Sequence, residues 1–156
     1  MTATSLAHTL ALGAITGMRS MSGPAALAVG QHNALRQIVP MLALGEMIAD
    51  KTSAIGDRID PIPLAGRACM GALVGLAIAR QTHAHPVVGG CLGAVTATVA
   101  AYLAYGARKR LPVPNLVAGL LEDAVVVGVA AWFAATRRHE VTHQRRSGFT
   151  PTVASR

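Results

Sequence analysis

Four carboxylates stand where an apolar chain should have none. Glu46 and Asp50 lie in LALGEMIADK, residues 42–51, and Glu122 and Asp123 lie in LVAGLLEDAVVVGVAAWFAA, residues 116–135. In a helix Glu46 and Asp50 are one turn apart on the same face, with Lys51 beside them. The 116–135 stretch is long enough to cross a bilayer, and it carries its acids about a third of the way along. A carboxylate at the bilayer centre costs roughly 2.5–3.5 kcal/mol on insertion scales, while each Leu, Val or Phe returns only about 0.3–0.6. These acids therefore need protein, water, a cation or an arginine beside them. The chemistry they suit is binding or relaying a cation or proton. Arg19 and Arg67 are the candidate counter-charges or anion contacts. Together with Lys51 these residues make up the candidate binding set. The alternative role is structural: ion pairs with Arg19, Arg67 or Lys51 that fix helix register.

The elements that must position them are membrane segments. The chain has 156 residues, 52% hydrophobic and only 13% charged, which fits one integral membrane domain. Aromatics are 3%, so helix packing must rest on Ala and Gly. The net charge of +7 gathers at segment ends and in the tail. That points to anionic lipid headgroups as partners and away from nucleic acid. Cys69 and Cys91 make no disulfide framework and no zinc spacing, and are expected to be small buried hydrophobes. The first basic residue, Arg19, follows the first apolar run, so no cleavable signal is expected.

About five hydrophobic segments follow in order. Residues 4–18 form a short helix with Gly13 and Gly17 in GxxxG spacing. RSMSGP breaks it, and PAALAVG resumes for under two turns. A helix, a polar break and a half-helix occur where backbone lines a cavity at membrane depth; the plainer reading is a helix ending at a surface loop. Residues 34–51 contain Pro40, and their apolar run is too short to span unaided, so this segment spans with help or is re-entrant. Residues 64–80 carry Arg67 and the Gly71/Gly75 pair. Residues 86–106 carry Gly89 and Gly93, and a basic loop, Arg108 to Arg110, precedes the last span. The domain is expected to cover residues 1–136, with residues 137–156 a basic, polar, disordered tail. The GxxxG pairs do not choose between internal packing and homo-oligomerisation.

LGAIT at 12–16 returns as LGAVT at 92–96, each about 30 residues before an acid in an apolar run. With five spans the two copies have opposite orientations, an inverted repeat of the kind many transporters use. Five spans also put Arg19 and the tail on one side, with C-terminus inside mildly preferred. HEVTH at 139–143 matches a zinc-protease pattern, but its arginine-rich setting disfavours a metal, and HAH at 83–85 reads as loop. No metal or cofactor is expected.

At these residues the chain resembles the bacterial membrane family called domain of unknown function 4126. The resemblance rests on GMRSMSGP ending a Gly-rich first helix, and on E-x-x-A-D-K at Glu46, Ala49, Asp50 and Lys51. Arg67 opening a small-residue helix also fits, as does L-L-E-D at Leu120 to Asp123 with Asn115 upstream. It covers most of residues 8–135. The chain departs from the family pattern at Thr52, where a proline usually stands, and in a short connection between the first two helices. The resemblance implies a multi-span inner-membrane protein and no reaction. The fold expected is thus an all-α integral membrane helical bundle. The leading function is transport- or channel-like; the alternatives are a metal-dependent enzyme acting on a lipid and a non-catalytic assembly protein.

Overall fold

The computed structural model describes residues 1–29, 35–49, 60–110, 112 and 114–147. Those residues form six α-helices: α1 (Ala3–Met18), α2 (Ser22–Val29), α3 (Leu35–Ala49), α4 (Pro61–Gln81), α5 (Pro86–Arg110) and α6 (Asn115–Ser147). Prolines mark the starts of α4 and α5, where a missing N–H costs nothing. The N-terminus of α1 is capped by Thr2, whose hydroxyl accepts the Ser5 N–H at 3.2 Å. The three basic residues in the last turn of α5 complement the negative end of its dipole.

Three helices are long and apolar enough to cross a membrane: α4, α5 and Leu116–Arg137 within α6. α1 has 16 residues, α2 has 8 and α3 has 15, all short of the ~20 a span needs. The large apolar side chains point outward. Leu73, Val87, Val95, Leu103 and Val127 are each more than half exposed. The interior holds small residues and a short apolar cluster of Leu12, Ile15, Val74, Ile78, Val126 and Phe133. A water-soluble domain buries such side chains first, so this inside-out arrangement suits a lipid surround. Cys69 and Cys91 are exposed, not buried as expected: each falls on the outward face of its helix.

The glycines fix how the helices run. Gly71 of α4 meets Gly93 of α5, and Gly75 meets Gly89, backbone against backbone. These two helices are therefore antiparallel. Gly13 of α1 lies on Gly93 and Thr96, and Gly17 lies on Ala97 and Ala100, so α1 and α5 are parallel. A Cβ on Gly17, Gly75 or Gly93 would overlap a backbone carbonyl of the facing helix. All three GxxxG pairs are thus used within the chain. The LGA-x-T stretches lie on α1 and α5, which run side by side in the same sense. The opposite orientation expected of them is not what the fold builds: parallel helices have an odd number of traverses between them, whereas five spans would place two there.

α6 is antiparallel to α1: its Asp123 meets Arg19, and its Thr136 meets His8. Its helix does not end near residue 136, where the sequence changes from apolar to basic. It continues to Ser147, through a stretch with neither Gly nor Pro before Gly148.

Candidate functional site: ion pairs at the break after α1

The sequence GMRSMSGP builds a helix end that turns back into the bundle. Gly17 allows α1 to touch α5. Arg19 closes α1, its N–H donating to the Ile15 carbonyl at 2.9 Å. The Ser22 hydroxyl lies between the Ile15 and Arg19 carbonyls, at 2.6 and 2.7 Å. It thereby serves acceptors that the end of a helix leaves open. Gly23 packs on Thr16 and the Leu12 carbonyl, where any side chain would collide. Pro24 falls in the first turn of α2, where it needs no N–H partner. α2 then runs back beside α1 with Ser22, Gly23 and Ala25 to Ala28 buried. Of the two readings left open, these residues form the helix, polar turn and half-helix, not a helix ending at a surface loop.

Arg19 is 2% exposed and reaches Asp123, with Nη2 and Oδ1 2.5 Å apart. The neighbouring acid, Glu122, is held by Arg108, whose Nη2 donates to Oε2 at 3.0 Å. The two adjacent carboxylates of α6 thus take arginines from two different helices. The outer pair is partly open, with Arg108 23% exposed, and the inner pair is more enclosed. Arg67 is buried on α4, one turn before Gly71 on the face that meets α5. It lies at the same end of the bundle as Arg19.

Of the residues expected to form a site, the fold brings Arg19, Glu122 and Asp123 together and places Arg67 nearby. Glu46 belongs to α3, but its side chain lies outside the described residues, as do Asp50 and Lys51. Among the described residues no three of His, Cys, Asp and Glu gather in a way that could hold a metal.

Two residues escaped the sequence reading. Arg108, expected in a basic loop, lies in the last turn of α5. The signal was a short, proline-containing connection that forces the end of α5 and the start of α6 together. The other is His8, 5% exposed at the opposite end. Its Nε2 lies 3.1 Å from the Thr136 hydroxyl. The rings of Trp132 and Phe133 meet it edge-on at 5.6 and 4.9 Å. Its signal was a shared helix face with Ser5, Thr9 and Thr16, all buried. Those hydroxyls donate to backbone carbonyls of their own helix segment, so the polar stripe is satisfied inside an apolar bundle.

A family model for a domain of unknown function (DUF4126) matches residues 6–136. The chain belongs to that family. No curated protein and no solved structure matches.

Proposed function

We propose that the protein is a multi-pass inner-membrane protein in which the α6 acids handle a cation or a proton. The observation that supports this is the paired arrangement of Glu122 and Asp123 on a candidate span. Each is held by an arginine from another helix, beside a broken helix. A cation or proton arriving at Asp123 competes with Arg19 for the carboxylate, and its departure restores the ion pair. Exchange of this kind gives the bundle two charge states that differ in which helices are tied together. Glu46, Asp50 and Lys51 belong to the same proposal as further charges of the set. Lys109 and Arg110 are exposed at the end of α5, where they suit anionic lipid headgroups.

The test is flux. Purified protein in sealed vesicles with an internal pH or cation indicator is expected to dissipate an imposed proton or cation gradient. Asp123→Asn and Glu122→Gln are expected to lose that flux at least tenfold in protein that stays monodisperse in detergent. If no proton, monovalent or divalent cation gradient decays faster than in empty vesicles, the reading is wrong. The assembly-protein reading then stands in its place, because the same ion pairs and glycine contacts serve packing alone.

A further inference from the structure

We infer that α2 and α3 form a re-entrant hairpin, which enters and leaves the membrane on the side faced by Arg108 to Arg110. As a consequence, the Arg19–Asp123 pair is reached from that side only. The argument begins with parity. α1 and α5 are parallel and α4 is antiparallel to both. The glycine register puts Met18 level with Ala100 or Ala101 of α5, and Pro61 level with about Leu103. The end of α1 and the start of α4 are therefore at the same end of the bundle. The chain between them crosses the membrane an even number of times.

The described helices favour no crossing over two crossings. Each needs ~20 helical residues to cover ~30 Å. α2 and α3 have 8 and 15 residues, which at 1.5 Å per residue reach ~12 and ~22 Å. α2 thus ends less than halfway across, and α3 packs against α2. The even number is therefore taken as zero.

α2 is nonetheless no surface helix. Gly23 rests on Leu12 and Thr16, more than half a turn inside the end of α1. Farther along α2, Ala26 and Leu27 join the apolar cluster with Val126 and Phe133. So α2 descends into the bundle and α3 returns outside it. α3 packs on α2, and none of its described side chains is buried. Below Arg19, the layer of Leu12, Ile15, Val74, Ile78, Val126 and Phe133 is packed shut. The buried hydroxyls of Thr9 and Thr16 beside this layer donate to carbonyls of α1 itself. This deepens the proposed function by naming the side from which the ion pair is reached, yet it stands on geometry alone.

Single cysteines in a background of Cys69→Ala and Cys91→Ala test it without any flux assay. All the positions chosen are exposed. With a membrane-impermeant thiol reagent on sealed vesicles of known orientation, Thr4→Cys and His85→Cys are expected to react from one side. Asp60→Cys and Pro112→Cys are expected to react from the other. Val29→Cys, at the foot of α2, is expected to react at least tenfold more slowly than Thr4→Cys from the Thr4 side. Two results overturn the hairpin: Asp60→Cys labelled from the same side as Thr4→Cys, or Val29→Cys labelled from that side as fast as Thr4→Cys. Labelling in the expected pattern with no ion flux leaves the hairpin standing and removes only the proposed function.

Discussion

The two carboxylates of α6 are neighbours in sequence but not in circumstance. Asp123 answers an arginine that is 2% exposed, whereas Glu122 answers one that is 23% exposed. Removing one partner of a buried pair strands the other charge and costs about 3–5 kcal/mol. Asp123→Asn should therefore lower the melting temperature in detergent well below that of wild type. Glu122→Gln should cost less than half as much, since solvent reaches Arg108. Thermal unfolding of the two variants side by side checks this; equal losses would contradict the inner and outer ranking. A second variant separates charge from packing. Arg19→Met with Asp123→Leu removes both charges at once, and should recover most of the stability lost by Asp123→Asn. If the pair handles ions, that double variant folds but carries no flux.

At the scale of the helices, close contact replaces large side chains. α4 and α5 meet through Gly71, Gly75, Gly89 and Gly93, and α1 joins them through Gly13 and Gly17. Without a hydrophobic force between helices in lipid, dispersion at such short range does the holding. Gly75→Ala and Gly17→Ala place a methyl against a carbonyl of the facing helix and should each cost about 1–3 kcal/mol. Gly45, Gly106 and Gly128 have nothing within 4 Å of an added Cβ. Alanine there should be neutral or stabilise by up to about 1 kcal/mol, the helix-propensity difference. Melting of the five alanine variants checks the contrast. If Gly75→Ala melts with Gly45→Ala, the glycine register, and the helix directions drawn from it, are wrong.

For the whole molecule, the helix directions place both ends of the described chain on one side. α1 starts, α4 ends and the apolar part of α6 ends at the His8 pole. The α5–α6 connection and the ion pairs lie at the other. Arg19 is thus at the opposite pole from the end of α6, a correction to the charge count that five spans suggested. Residues 148–156 are polar and follow the last helix. Their deletion should leave expression and membrane insertion unchanged on a membrane-fraction blot. A truncated protein that no longer accumulates would show that these residues pack on the domain.

The sequence by itself determined the local matters. Helix type, membrane character, the break at RSMSGP and the need of Glu122 and Asp123 for a counter-charge follow from periodicity, hydropathy and the cost of a lone charge in lipid. Arg19 was legible as a partner because it stood alone at an apolar boundary. Only the tertiary structure decided which cation meets which acid, since pairing depends on helix directions, and apolar segments look alike whichever way they run. The same holds for Arg108, whose role appears only when two helix ends meet. It holds too for the residues 34–51 segment: its length left spanning and re-entrance both open, and the inferred hairpin takes the second. The LGA-x-T echo misled for a related reason. A short similarity between two Gly- and Ala-rich helices reports a shared demand for close packing, and here the two copies meet that demand against each other.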